Sequence, residues 1–364
     1  MKSHDYMRCL VLLSPNHKQR GLALITVLFI FALVSLMAMS MQKRQAMDIA
    51  QASSTFSHTQ AMQYIYSAEE LAKSGLLFDL SRDQKSGEEW DTASELWNQY
   101  FTTKVDRANI ELNIRDLQGL FNLNWLHPSA PNPTQASERL QRLISEAGHP
   151  SLSSEVARNL KNWFTSGSSF NYIYENKEPP YRASEMEMVH PSELKLVEGV
   201  TEKLYEDLEP YITALPYSVQ LNINTTTPEV LASWARDLSE HAQDLVAKSH
   251  SGVCGQGRST YVYPKVEDFI KEPKVDALLK PTGTPAAGDS APAAPLAASD
   301  FTVKTNYFSV LMRITMDIDG DAEPDIDLTT ESIVKRSSDF TGVIYRDYSR
   351  EVKDFTELKK VNCT

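Results

Sequence analysis

Gly21-Leu-Ala-Leu-Ile-Thr-Val-Leu-Phe-Ile-Phe-Ala-Leu-Val-Ser-Leu-Met-Ala-Met-Ser-Met41 is the stretch on which the fold turns. From Leu22 to Met41 run 20 uncharged residues whose only hydroxyls are Thr26, Ser35 and Ser40. At 1.5 Å per residue this helix is about 30 Å long, one bilayer core. Lys18 and Arg20 precede it and Lys43 and Arg44 follow it, so flanking charge sets orientation only weakly. The short N-terminal flank is the easier one to leave in the cytoplasm. A cleaved secretory signal is the rival reading, because Ala38-Met39-Ser40 places small residues at both peptidase-read positions. Two features oppose it. The apolar run is longer than the ~7–15 residues of such a signal, and the helical pattern does not stop at its end. Between Gln42 and Leu80 there is no proline and one glycine, Gly75. Ala46, Ile49, Ala50, Phe56, Ala61, Met62, Ile65, Ala68, Leu71, Ala72 and Leu76 recur at three- and four-residue steps. Span and stalk read as one helix.

The rest of the chain reads as an interrupted sheet domain. Ser81–Glu89 looks turn-like and Trp90–Phe101 like a short aromatic helix, and Ala108–Arg115 alternates as a strand. After a break at Gln118-Gly119, helices are expected at Thr134–Ala147, Ser154–Phe164, Pro191–Val197, Thr201–Leu208, Thr227–Arg236 and Leu238–Lys248. Strands return at Tyr307–Asp317, Leu328–Arg336 and Gly342–Tyr348. Residues 281–300, rich in Pro, Ala, Gly and Ser, are expected to be a disordered linker.

Two Asn-x-Asn segments stand out. Asp116-Leu-Gln-Gly-Leu-Phe-Asn-Leu-Asn-Trp-Leu126 places Asn122 and Asn124 on one side of an extended stretch. Leu221-Asn-Ile-Asn-Thr-Thr-Thr-Pro-Glu-Val-Leu231 repeats the pattern with Asn222 and Asn224. A helix starts there, with Thr226 and Glu229 at capping-box spacing or Thr227 as cap before Pro228. The asparagines are expected to bond local backbone, in a structural role.

A basic leader, a glycine directly before an apolar helix, and a helix continuing into a soluble domain together resemble the signal of type IV pilin-like proteins. The resemblance implies that a membrane prepilin peptidase cuts between Gly21 and Leu22 and methylates the new N-terminus at Leu22. Most such proteins carry Glu at the fifth mature position, where this chain has Thr26. A carboxylate in hydrocarbon costs about 2.5–3.5 kcal/mol unless paired, and in a pilus its partner is the amine of the neighbouring subunit. Thr26 can bond a carbonyl of its own turn instead, which fits a subunit placed first.

With Pro179-Pro-Tyr-Arg-Ala183 and Ser192-Glu-Leu-Lys-Leu-Val197 between them, the two Asn-x-Asn segments resemble in order and spacing the type II secretion system protein K family. That resemblance spans Gly21 to the Tyr307–Met312 strand. It implies an α+β, pilin-like fold: a long N-terminal helix on an antiparallel sheet, interrupted by a large all-helical insertion. The implied domains are a leader (1–21), a transmembrane helix (22–41), the stalk and first part of the pilin-like domain (42–118), the helical insertion (119–280), the linker (281–300), and the return strands with a tail (301–364). The implied role is that of a minor pseudopilin, with no enzymatic activity, at the tip of a short periplasmic pseudopilus that exports folded proteins across the outer membrane. Its partners would be the I and J minor pseudopilins, the pseudopilus core, prepilin peptidase and the inner membrane, with secreted substrates or the outer-membrane channel beyond. The rival functions are a minor pilin of a type IV pilus or DNA-uptake system and a membrane-tethered periplasmic enzyme.

Charge speaks against nucleic acid. The formal charge is −12, and without the first 21 residues 32 Lys and Arg face 47 Asp and Glu, a charge of −15. Phosphate neutralisation needs the opposite sign. The helix–hairpin–helix look of Asn222–Lys248 carries Glu229, Asp237, Glu240 and Asp244 against Arg236 and Lys248, which favours a scaffold. Only Cys254 and Cys363 lie in the body, a candidate disulfide in an oxidising compartment.

Calcium has one candidate site. Members of the family have spaced aspartates after a tryptophan matching Trp163, but this chain has Phe164-Thr-Ser-Gly-Ser-Ser-Phe-Asn171, without a carboxylate. A separate acidic turn, Asp317-Ile-Asp-Gly-Asp-Ala-Glu-Pro-Asp325, offers Asp317, Asp319, Asp321 and Asp325 as hard oxygen ligands, although it lacks a full EF-hand loop. A solvated hairpin turn is the plainer reading. The Gly-rich Ser251–Ser259 lacks phosphate-loop lysine spacing, and the scattered histidines, His190 and His241 among them, show no zinc spacing.

Overall fold

A computed structural model describes residues 19–167, 169–250, 262–279, 296–321, 323–338 and 340–348. The leader residues 1–18, Cys254, Cys363 and positions 281–295 lie outside them. The chain divides into two compact units, residues 1–60 and 61–364.

In the first unit, α1 (Gln19–Ser86) begins before Gly21. Its apolar residues have no cover: Phe29, Phe31 and Leu36 are about two-thirds exposed. A helix apolar on every side requires an apolar surround. This one is long and apolar enough to cross a membrane.

In the second unit the end of the same helix lies on a sheet. Ala61, Ile65, Ala68, Ala72 and Leu76 are buried at four- and three-residue steps, and the three alanines let the helix approach closely. Following α1 come β1 (Phe101–Val105), β2 (Ala108–Asp116) and β3 (Phe121–Asn122). Next are α2 (Pro133–Glu146), α3 (Ser153–Phe164), α4 (Asn171–Glu175) and α5 (Glu202–Leu208), then β4 (Ile212–Thr213) and β5 (Leu221–Asn222). After them stand α6 (Pro228–Ala232), α7 (Ser239–His250), α8 (Val266–Ile270) and α9 (Pro273–Asp276). β6 (Phe301–Thr302), β7 (Tyr307–Met316), β8 (Ile326–Arg336) and β9 (Thr341–Asp347) complete the described chain.

The five-stranded sheet has order β1-β2-β7-β8-β9, every pair antiparallel. β2 and β7 are neighbours, with Leu112 opposite Met312, although the whole helical block separates them in sequence. One sheet face carries Ile110, Leu112, Ile114, Phe308, Val310, Met312 and Ile314 into a common core with the helix. Two parallel pairs of two-residue strands, β3 with β4 and β5 with β6, stitch the insertion.

Five expectations are corrected. Ser81–Glu89 does not turn at its start: α1 runs to Ser86, where Ser81 Oγ bonds Leu77 O at 2.9 Å, and Gly87, at φ +76°, supplies the left-handed stop. Trp90–Phe101 is irregular, with a turn closed by Glu95 N on Thr92 O at 3.3 Å and a 3-10 turn at Leu96–Asn98, because Asp91 N donates to Val303 O and Trp97 packs edge-on against Phe308. At the linker's end, Leu296 is buried and Ala298–Asp300 forms a 3-10 turn, with Asp300 paired to Arg139 at 2.7 Å. The expected helix Pro191–Val197 is a 3-10 segment, and Thr227–Arg236 stops at Ala232. Thr227 is its cap, its Oγ1 accepting from Val230 N, with Pro228 at the first helical position.

Candidate functional site

The four motif asparagines are all buried. Each first asparagine folds its Oδ1 onto the amide two residues on, Asn122 to Asn124 N at 3.1 Å and Asn222 to Asn224 N at 3.0 Å. That local turn was legible. Distant partners were not. Asn124 pairs with both backbone groups of Met188, Oδ1 accepting from its N at 2.8 Å and Nδ2 donating to its O at 2.9 Å. Asn224 does the same to Tyr263, at 3.0 Å each way. Each second asparagine thus acts as one more rung of backbone pairing. Asn122 also accepts from Leu215 N and donates to Pro216 O.

Asn222 looks toward the sheet instead. Its Nδ2 donates to Thr305 Oγ1 at 2.8 Å, Asp116 Oδ2 at 3.1 Å and Asp91 O at 3.2 Å. Asp116 accepts in addition from Gln118 N, Thr225 Oγ1 and Thr305 Oγ1. Burial pushes the Asp116 carboxyl up to about 6 against those donors. This junction between sheet and insertion was missed in sequence, where only an aspartate at an inward strand position hinted at it. Gly119 belongs to it: a Cβ there would stand 2.6 Å from Thr225 O.

At the N-terminal end, Thr26 Oγ1 donates to Ala23 O at 2.9 Å and Leu22 O at 3.2 Å, within its own turn. Gly21 and Leu22 are consecutive residues of α1.

Of the acidic turn, Asp317, Asp319 and Asp325 bring one oxygen each within 4.8 Å of the others. Asp321 is not in that group and accepts from Glu323 N at 2.9 Å. The three that converge also hold the loop, Asp317 accepting from Gly320 N and Asp325 from Ile318 N, both at 2.6 Å. In the stretch after Trp163, Ser166, Gly167 and Asn171 all bond the carboxylate of Glu185. Those donors hold the Glu185 carboxyl below its usual range.

A long helix, apolar at its start and laid on an antiparallel sheet at its end, with a helical insertion tied in by buried asparagines, defines a pilin-like protein of elaborated type. The comparisons are specific. A family model described as type II secretion system (T2SS), protein K, matches residues 119–217. Type II secretion system protein K of Klebsiella pneumoniae is 30% identical over 260 residues, 65% of this chain and 77% of that protein. The protein of the same name from Pseudomonas aeruginosa is 27% identical over 315 residues, 82% and 85% of the two chains. The crystal structure of the GspK-GspI-GspJ complex from the enterotoxigenic Escherichia coli type 2 secretion system contains a chain of the same fold. It matches with a TM-score of 0.64 at 23% identity, covering 83% of this chain and all of that one. The chain belongs to the type II secretion system protein K family, the minor pseudopilins of type II secretion.

Proposed function

We propose that the chain is the tip subunit of a type II secretion pseudopilus, required for export of folded periplasmic proteins across the outer membrane. Prepilin peptidase cuts between Gly21 and Leu22, and Leu22 is then methylated. Leu22–Met41 holds the chain in the bacterial inner membrane, N-terminus cytoplasmic and body periplasmic, until the helix is drawn into a bundle with those of the I and J partners. The chain acts as a scaffold, divided at 42–118, 119–280 and 301–364, a division supported by the pairing of β2 with β7 across the helical block.

The observation that carries this reading is Thr26. Its hydroxyl is satisfied by Ala23 O and Leu22 O, so the segment holds no buried carboxylate that needs the amine of a subunit ahead of it. Support for the I and J partners comes from the complex in which the structural relative was solved. The acidic body supports protein partners over nucleic acid.

Expression of wild type and Gly21→Ala with and without prepilin peptidase tests the assignment, read as mature mass and secretion of native exoproteins. Wild type is expected to lose 21 residues only with the peptidase, and Gly21→Ala to stay long and block secretion. Cleavage near Ser40, or processing indifferent to the peptidase, overturns it.

A further inference from the structure

Four carboxylates outside the proposed function crowd together where α1 ends. Asp79, Asp83, Asp91 and Glu95 each bring one oxygen within 4.8 Å of the others. The first three are buried and Glu95 is half-buried. Two guanidinium groups reach in. Arg336, 1% exposed at the end of β8, pairs with Asp79 at 3.4 Å and with Asp91. Arg82 pairs with Asp79 at 2.9 Å and Asp83 at 3.4 Å. Among the described residues neither arginine pairs with Glu95, and Asp116 of β2 adds repulsion through Asp91. Four acids against two cations leave an excess of negative charge that a buried site does not tolerate.

Glu95 is met only by neutral donors: Oε1 accepts from Thr92 N at 3.1 Å and Oε2 from Trp97 Nε1. Carboxylates crowded this closely in a buried site do not all ionise, so the one without a cation is the one that keeps a proton.

We propose that this cluster is a proton-held latch: Glu95 carries a proton in the folded chain, and losing it as pH rises loosens residues 87–98 from the end of α1. Burial first, then the charges of Asp91 and Asp79, push the Glu95 carboxyl up to about 9. Burial and then Asp79 push Asp83 up to about 6. The latch reaches the insertion through Asp91, which donates N–H to Val303 O at 2.8 Å and accepts from Thr305 N at 2.7 Å and Asn222 Nδ2 at 3.2 Å. Proton occupancy at one side chain thus controls the post that holds both the stalk helix and the insertion.

The test uses the full chain in detergent micelles, with thermal melting and hydrogen exchange followed from about pH 6 to about pH 10 in wild type and Glu95→Gln. Glutamine keeps an acceptor for one of the two donors, Thr92 N or Trp97 Nε1, and does not titrate, so any loss of stability should be the same at every pH in this range. Wild-type Tm is expected to fall as pH rises from about 6 and to level off above about 9, with exchange at residues 88–98, corrected for its intrinsic rate, rising about tenfold per pH unit over that window. Glu95→Gln should stay flat. The same fall in both proteins overturns the proposal, as does its loss in Asp83→Asn with Glu95→Gln unchanged. Infrared spectra of wild type alone give a second reading. A protonated carboxyl stretch that persists at about pH 7.5 and disappears above about pH 9.5 is expected, and its absence overturns the latch even if no variant folds.

Discussion

Arg346, on the edge strand β9, clasps Glu69 of the stalk helix with two hydrogen bonds, Nε to Oε2 at 2.7 Å and Nη2 to Oε1 at 2.8 Å. Ser332 Oγ adds a third at 2.7 Å. Glu69 is 2% exposed, whereas the Arg346 side chain keeps about a third of its surface in water. Burial acts to raise the Glu69 carboxyl, and the Arg346 and Ser332 bonds outweigh it, leaving it below the usual range.

The clasp has a pH dependence with a definite sign. A carboxyl lowered in the folded state stabilises above its unfolded pKa, about 4.3, and loses that contribution as pH falls through the folded value. Glu69→Ala is expected to cost about 3 kcal/mol, the lower end for breaking a buried pair because Arg346 can still turn to water. Denaturant melts at about pH 7 measure the cost, and at acid pH the gap between variant and wild type should shrink. A gap that widens in acid contradicts this sign.

Asn124→Ala leaves both Met188 backbone groups without their partner, in a site closed to water. Each orphaned group costs about 1–3 kcal/mol. Midpoint shifts in urea should exceed those of Asn176→Ala, since Asn176 is exposed and bonds only its own helix turn at Tyr172 O. Equal shifts would show that the asparagine rung contributes nothing special.

Gly119→Ala forces a methyl group to 2.6 Å from Thr225 O, a distance the backbone must open to accommodate. The expected loss is about 1–3 kcal/mol, the range of overpacking. Gly148→Ala is a comparison with free space and a positive φ of 91°, so its loss should be that of backbone strain alone, about 1–2 kcal/mol.

Calcium calorimetry on the full chain examines the acidic turn. With three converging carboxylates, a binding heat is expected that Asp319→Ala abolishes, while Asp321→Ala, whose carboxylate turns to Glu323 N, retains most of it. No heat from the wild type leaves the loop a solvated hairpin turn.

Thr26→Glu introduces a carboxylate where the segment now satisfies itself with a hydroxyl. Copurification with the I and J partners is expected to fall, because the unpaired acid costs about 2.5–3.5 kcal/mol in hydrocarbon. Wild-type recovery of both partners would remove the physical account of tip placement.

The stalk, the strands and most helices were legible because each depends on a short-range period. Ala61, Ile65, Ala68, Ala72 and Leu76 mark the buried face of α1 before any partner is known. Alternation from Ala108 onward marks β2, and Thr227-Pro228 marks a helix start. β1 was missed because an edge strand with an exposed pattern, Phe101–Val105, lacks alternation to read. Trp90–Phe101 was misread as helix because its propensity is overridden by Asp91 and Trp97, whose partners Val303 and Phe308 lie some two hundred residues away in the chain.

What the sequence determined by itself is the architecture's outline: an uncharged 20-residue span after Gly21, one helix continuing from it, and a helical block splitting a sheet. Local spacing encodes these, since hydrophobic period and capping act within a few residues. Only the tertiary structure decided what the asparagines hold, that Arg346 reaches Glu69, and that Glu95 lies against Asp79. Those are pairings between segments distant in the chain, and the charge and hydrogen-bond balance of a buried group depends on every neighbour the fold delivers to it.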